Sequence, residues 1–148
     1  MISRMLPVAF GIAVLGLALG LTTCGSLHPA PEVVVARVNP LSVSISDTTS
    51  DSEVQFWFFN GNRVDAYITE FEGGGWPRTT MSLFVPYGVK RDSLGLTQLS
   101  LTITYDTKFK KAHQNLINTT GQIVFRGVDA YGNNKAFTAS PPVYIAYL

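Results

Sequence analysis

The sequence predicts an all-β fold of about seven strands, arranged as a sandwich or a barrel. Apolar and polar residues alternate with a period of two in several stretches, most regularly over residues 98–105. Clusters of Gly, Asn and Asp separate these stretches, and no amphipathic helix of useful length competes with them. Alternation gives each strand one apolar and one polar face, which suits antiparallel sheets with one solvated side. Strands without crossover helices favour packed sheets or a closed barrel.

The N-terminus is a short basic start followed by an apolar run. Arg4 is the only charged residue before Cys24, and residues 6–21 contain no charge. This layout is typical of a secretory signal. The run of 16 residues is shorter than the roughly 20 that span the hydrocarbon of a bilayer. A cleaved signal is therefore favoured over an uncleaved membrane helix, although both begin with an N-terminal helix.

The end of the apolar run resembles the bacterial lipobox. Leu21, Thr22, Thr23 and Cys24 follow one another, and the family has a Leu three residues before an invariant cysteine with small residues between. Thr23 departs from the usual Gly, Ala or Ser. The resemblance implies cleavage before Cys24, lipid on its thiol and attachment to a membrane. In the family an Asp after the cysteine marks inner-membrane retention, so Gly25 implies the outer membrane where the cell has one.

The predicted organisation is a signal peptide over residues 1–23, a lipidated cysteine and tether over 24–32, and one domain over 33–148. The tether contains two prolines and few large apolar groups, so it is expected to be extended rather than packed. His28 lies within it and is expected to be solvated rather than a metal ligand.

Seven stretches of the domain are predicted strands. They are residues 41–46, 53–59, 64–71, 80–86, 98–105, 122–130 and 143–147. Alternation predicts that Phe56 and Phe58 lie in the core while Trp57 faces the other way. Residues 108–118 could form a short helical turn with Phe109 packed onto the core. Two adjacent prolines at 141–142 remove two ladder donors and predict an edge or a break in the last strand.

Residues 121–134 carry a further resemblance. Ile123 and Phe125 alternate with other residues, and Gly127 and a Gly-Asn pair follow them. This pattern is similar to the penultimate strand and last hairpin of bacterial immunoglobulin-like and fibronectin type III-like domains. The resemblance covers 14 residues and implies an immunoglobulin-like antiparallel β-sandwich of about seven strands. It also implies that Ile123 and Phe125 point inward, that Gly127 allows close packing, and that the Gly-Asn pair forms the turn. A chain with a single cysteine lacks the framework of an antibody-type domain.

The charge balance argues against nucleic acid as a partner. The chain has 11 basic and 10 acidic residues; Arg4 precedes Cys24, which leaves 10 basic against 10 acidic side chains beyond it. Binding to phosphate backbones needs a basic surplus. The same balance argues against a polybasic membrane patch.

No catalytic or metal-binding set stands out, and the sequence predicts neither an enzyme nor a cofactor. His113 is the only histidine beyond the tether, and an enzyme built around it is the weakest hypothesis. Glu70 and Glu72 are expected to be a solvated pair at a strand edge rather than a glycosidase pair. Five acidic side chains lie near turns and could converge on a calcium ion, although no loop has the spacing of a dedicated calcium site. They are Asp47, Asp51, Asp65, Asp92 and Asp129.

Three aromatic residues are the candidate contacts for a ligand or partner: Trp57, Trp76 and Tyr87. Trp76 lies between three glycines and a proline, so its ring could stack on a sugar or a protein, or could fold back and close the end of the sandwich. The predicted function is a lipid-anchored, non-catalytic interaction or structural module of the cell envelope. Its partner would be another envelope protein or a glycan. The alternative is a carbohydrate-binding module that uses these aromatics.

Overall fold

A computed structural model describes residues 28–87, 99–132 and 134–148. The predicted signal peptide and Cys24 lie outside the described residues. Within them the chain forms nine strands, one short α-helix and one 3-10 helix. The strands are β1 (Val33–Asn39), β2 (Ser42–Val43), β3 (Ser52–Asn60), β4 (Ala66–Gly73), β5 (Trp76–Val85), β6 (Leu99–Tyr105), β7 (Thr120–Asp129), β8 (Ala136–Thr138) and β9 (Val143–Tyr147). Helix α1 (Thr107–Ala112) and the 3-10 helix (Gln114–Leu116) follow β6.

The strands form two sheets that pack against each other. The smaller sheet has the order β1-β3-β6, and the larger has the order β2-β9-β7-β4-β5 with β8 also paired to β7. The ladders are antiparallel except that between β2 and β9. Phe56 and Phe58 of the smaller sheet meet Phe125 of the larger one, with ring centroids 5.1 and 5.0 Å apart. The all-β class is therefore confirmed, and the architecture is a sandwich rather than a barrel.

The predicted inward faces are confirmed. Phe56, Phe58, Ile123 and Phe125 are buried between the sheets, whereas Trp57 faces outward and is only half-buried. In β6 the burial also alternates, with Ile103 and Tyr105 in the core. Gly127 allows the predicted close packing, because a Cβ there would collide with the Tyr67 carbonyl oxygen and with the ring of Phe137.

Two of the nine strands were not among the predicted stretches, and one predicted strand is shorter than expected. The valine-rich sequence of β1 lacks a strict alternation, and its register with β3 shifts between Val35 and Arg37. Strand β8 has only three residues, too few for a periodic pattern. Of residues 41–46, only Ser42–Val43 pair in a ladder, although Ile45 is fully buried.

The last strand is interrupted, as the two prolines predict. Strand β8 ends at Thr138 and β9 begins at Val143. Between them Ser140 exchanges two backbone hydrogen bonds with β1 of the other sheet, at 3.0 and 3.1 Å. The chain therefore contacts both sheets at the interruption and returns to β7 as β9.

The described part of the tether differs from the expectation, because residues 28–32 pack on the domain. Pro31 is buried. The Glu32 carbonyl accepts the Gly61 N–H at 2.9 Å, and the Ala30 carbonyl accepts the Asn62 side-chain amide at 2.6 Å. These contacts hold the segment against the loop between β3 and β4. The composition of the tether could not predict these contacts, because the hydrogen bonds are accepted by backbone carbonyls, which every sequence has.

Candidate functional site: the outer face of the larger sheet

The three aromatic residues predicted as contacts lie apart. Trp57 is on the solvent side of the smaller sheet, where the Arg37 guanidinium lies 4.9 Å from the ring centroid. Trp76 begins β5 and Tyr87 follows its end. Nine residue steps at about 3.3 Å each separate the two ends of this strand by about 30 Å. A single ligand of ordinary size therefore cannot contact all three rings.

The Trp76 ring packs inside one end of the sandwich. It stacks on Phe109 of α1 at a centroid distance of 4.4 Å and meets Tyr105 edge-on at 5.9 Å. The neighbouring turn Gly74-Gly75 has positive φ at both residues, a conformation that glycine adopts without strain. Of the two interpretations for Trp76, the packing favours the ring that closes the sandwich end.

Another pair of aromatic side chains is exposed on the solvent side of the larger sheet, here called the outer face. Tyr67 of β4 and Phe84 of β5 are directly opposite in the ladder, with ring centroids 5.1 Å apart. They are 37% and 42% exposed. Alternation around the buried Ala66 and Ile68 is the signal that places Tyr67 outward. Its pairing with Phe84 depends on the register of two strands.

A β-bulge on β4 places charged residues next to this aromatic pair. Ile68 pairs with Gly127 of β7, but the next pair is Glu70 with Arg126, so Thr69 is an extra residue. The bulge reverses the alternation: Phe71 turns into the core opposite Phe125, and Glu70 turns to the outer face.

Four charged residues meet on the outer face and are called the charged cluster: Glu70, Glu72, Arg78 and Arg126. The Arg78 guanidinium lies 2.6 Å from a Glu70 oxygen, and Arg126 Nη2 lies 2.6 Å from Glu72 Oε1. Arg126 Nη1 is 3.6 Å from the second Glu70 oxygen, which links the two pairs. The hydrogen bond from Arg126 lowers the pKa of Glu72 and raises the pKa of Arg126.

The expectation of a solvated glutamate pair at a strand edge is wrong in two respects. Strand β4 lies between β5 and β7, so it is not an edge. Glu70 is buried, whereas Glu72 is half-exposed. A carboxylate that is buried on a sheet surface needs a partner for its charge, and the two arginines fulfil this need.

A groove of about 380 Å³ runs along the charged cluster. Its lining includes Thr69, Glu70, Arg78, Arg126 and Thr138. Each carboxylate of the cluster is paired with a guanidinium group. The carboxylates are therefore suited to hold the arginines in place rather than to transfer protons. The groove therefore presents positioned guanidinium and hydroxyl groups beside two exposed rings, an arrangement that can bind a polar partner.

His113 lies away from this face. It follows α1, its ring stacks on Phe109 at a centroid distance of 3.9 Å, and its Nδ1 is 2.8 Å from the Phe109 carbonyl oxygen. Hydrogen bonds from the Ser50 and Thr49 side chains lower the pKa of Asp47 in a separate loop. In the part of the chain that the structure describes, no three His, Cys, Asp or Glu side chains converge as metal ligands. Asp92 lies outside that part.

A scan against protein-family models found no match for the chain, and a search of the curated proteins found none either. Across residues 28–87, 99–132 and 134–148, the structure contains no helix of the length and apolarity needed to cross a bilayer.

Proposed function

We propose that the protein is a lipid-anchored, non-catalytic interaction module of the cell envelope with an immunoglobulin-like fold. Lipid on Cys24 would hold it to a membrane, the outer one where the cell has one, and the outer face of the larger sheet would bind another envelope protein. The observation that carries this proposal is the contiguity of the Tyr67–Phe84 pair with the charged cluster.

The strand order supports the immunoglobulin-like assignment. In immunoglobulin domains one sheet contains the strands A, B and E in that order, and the other contains G, F, C and, in variable domains, C′. The orders β1-β3-β6 and β9-β7-β4-β5 correspond to these series when β1, β3, β4, β5, β6, β7 and β9 are lettered A, B, C, C′, E, F and G, with no strand D among the described residues. The short β2 beside β9 fits as a second part of the first strand.

The composition of the outer face supports a protein partner. Aromatic residues and arginine are enriched where proteins meet, and they contribute most of the binding energy in small interfaces. Tyr67 pairs with Val128 of β7, and Arg126 lies two residues away on the same face. The rings and the guanidinium groups therefore form one surface, and the groove lies along its charged part.

A photo-crosslinking experiment in intact cells tests the interaction. A photoreactive amino acid replaces Phe84 on the outer face or, as the matched control, the exposed Thr102 on the smaller sheet. We expect one defined protein adduct from position 84, none from position 102, and loss of the adduct when Arg126→Ala is added. Identical adduct patterns from the two positions, or no adduct at 84, would contradict the proposal.

The anchor has its own test. Labelled palmitate is expected to enter the wild-type protein and not the Cys24→Ala variant, which should remain uncleaved or soluble. Equal labelling of both proteins, or labelling of neither, would rule out lipid attachment at Cys24 and leave the interaction proposal to the crosslinking result.

A carbohydrate-binding module is the second candidate, because two adjacent exposed rings beside hydroxyl and guanidinium groups also suit a sugar. The residues would be Tyr67 and Phe84 rather than the separated Trp57, Trp76 and Tyr87. A glycan array that includes peptidoglycan fragments tests this function. Binding that Phe84→Ala abolishes and Trp57→Ala preserves would favour the glycan, whereas an array without binding would exclude the classes displayed.

A further inference from the structure

One end of the sandwich contains the start of β4 and the end of β5. We call it the entry end, because the N-terminal segment joins the domain there. It consists of residues 28–32, the loop 61–65, Tyr87 and the loop that contains Tyr131. The β4–β5 turn and α1 are at the opposite end. Between the two ends the strand β5 extends over about 30 Å.

The N-terminal segment is fixed to the entry end at several points. The loop 61–65 holds the Ala30 and Glu32 carbonyls by the hydrogen bonds given above. The Lys135 ammonium donates to the His28 carbonyl, and the His28 ring stacks on Tyr131 at a centroid distance of 5.9 Å. The chain is thus attached to the domain from His28 onward.

Only four residue steps separate Cys24 from His28. A fully extended chain covers at most about 3.6 Å for each residue, so these steps span at most about 14 Å. A lipid-bearing Cys24 is at the surface of the hydrocarbon, and the headgroup region above it is about 5–8 Å thick. His28 therefore lies at most about 9 Å beyond the headgroups, while in an upright domain the opposite end is about 30 Å farther away.

We propose that the entry end docks on the surface of the bilayer, with Tyr87 and Tyr131 among the lipid headgroups. This orientation rests on the proposed acylation of Cys24. The β4–β5 turn and α1 then point away from the membrane, and the outer face stands upright beside it, open to a partner.

The side chains of the entry end suit this contact. Tyr131 is 55% exposed and Tyr87 46% exposed, and tyrosine rings favour the membrane interface because one end is apolar and the other polar. Asp65 positions both residues: it accepts the Tyr87 N–H at 2.6 Å and the Tyr131 hydroxyl at 3.3 Å.

The contact is expected to depend on the rings rather than on charge. The described charged side chains of the entry end have both signs, namely Arg63 and Lys135 with Glu32, Asp65 and the buried Asp129. Because these described side chains have no basic surplus, anionic headgroups would add little attraction to them. The orientation should therefore form on zwitterionic lipid and persist in high salt.

Site-specific fluorescence on the full acylated protein in phosphatidylcholine vesicles tests the orientation. Because lipid occupies the Cys24 thiol, a thiol-reactive, environment-sensitive fluorophore labels only an introduced cysteine. Arg63→Cys reports on the entry end without removing either tyrosine, and Lys111→Cys, on the exposed side of α1, is the matched control. We expect nitroxide-labelled headgroups to quench most of the emission at 63 and to leave that at 111 nearly unchanged.

Each outcome decides one question. Equal quenching at 63 and 111, or quenching at neither, overturns the orientation, while intact mass measured on the same samples shows whether the acyl groups are present. Protein without acyl groups overturns the anchor of the proposed function and this inference with it. Quenching at 63 that high salt abolishes overturns the role of the aromatic rings.

Discussion

Phe125 lies at the centre of the residue contacts that join the two sheets. Its ring is buried and meets Phe56, Phe58 and Phe71 at centroid distances of 5.1, 5.0 and 6.0 Å. We expect Phe125→Ala to lower the free energy of unfolding by about 3–5 kcal/mol, because a cavity remains where the ring was. Urea denaturation followed by circular dichroism measures this change.

Thr102 is the matched control for that substitution. It is exposed on the outward side of β6, so Thr102→Ala should change the free energy of unfolding by no more than about 0.5 kcal/mol. Similar losses at positions 125 and 102 would show that the two faces are wrongly assigned.

The ionisation of two buried tyrosines is expected to make the free energy of unfolding depend on pH in the alkaline range. Burial raises the pKa of Tyr105 and of Tyr147 above the ordinary value of 10.0. The unfolded chain therefore releases these protons at lower pH than the folded one. Their contribution to stability is complete below pH 10 and decreases as the pH rises beyond it. The free energy of unfolding measured across this pH range should decrease in the wild type and should decrease less in Tyr105→Phe. An unchanged slope in the variant would contradict the assignment.

At the scale of elements, α1 shows how a short helix is stabilised by its contacts. The Asp106 side chain accepts the Phe109 N–H at 2.6 Å and caps the helix. Phe109 packs onto the core as predicted. Lys110 is buried beside it and donates to the Ser50 carbonyl and the Ser52 hydroxyl at 2.5 and 2.8 Å. Six residues cannot form a stable helix alone, so these contacts hold it.

Removal of the cap should weaken this element. We expect Asp106→Ala to cost about 1 kcal/mol, as N-cap substitutions generally do. Asp106→Asn keeps an acceptor oxygen and should cost less. Thermal unfolding of the two variants beside the wild type makes the comparison. A loss from Asn as large as that from Ala would indicate that Asp106 acts through its charge and not as a cap.

The end of the sandwich around Trp76 allows a second prediction at this scale. Because the ring stacks on Phe109 and meets Tyr105, Trp76→Ala should lower the free energy of unfolding by about 2–3 kcal/mol, below the roughly 3–5 kcal/mol of a fully buried ring. In a Trp57→Phe background, the emission of Trp76 should be blue-shifted and protected from quenchers. Red-shifted, readily quenched emission with unchanged stability would instead mark Trp76 as a surface contact.

For the whole molecule, the contacts of residues 28–32 place the start of the folded unit before Val33. A chain that begins at His28 should melt at a higher temperature than one that begins at Val33, because the shorter chain loses the buried Pro31 and the bonds to Gly61 and Asn62. Calorimetry of the two proteins measures the difference. Equal melting temperatures would show that this segment adds nothing to the stability of the fold.

The fold class and the strand faces could be determined from the sequence because they depend on local features. Side chains alternate along every strand, so the pattern around Phe56 and Phe58 was enough to place them in the core. The proline pair at 141–142 likewise predicted the interruption of the last strand, since proline lacks the N–H that a ladder needs.

The candidate site was decided only by tertiary structure, because it depends on how distant strands are paired. The bulge at Thr69 is defined by the pairing of β4 with β7, and it alone turns Glu70 toward Arg126. The rings of Tyr67 and Phe84 meet through the register of two strands, while the residues chosen from the sequence lie at the two ends of β5 and on the other sheet. Composition identifies residues suited to binding, but the non-local contacts that set register determine which of them share a surface.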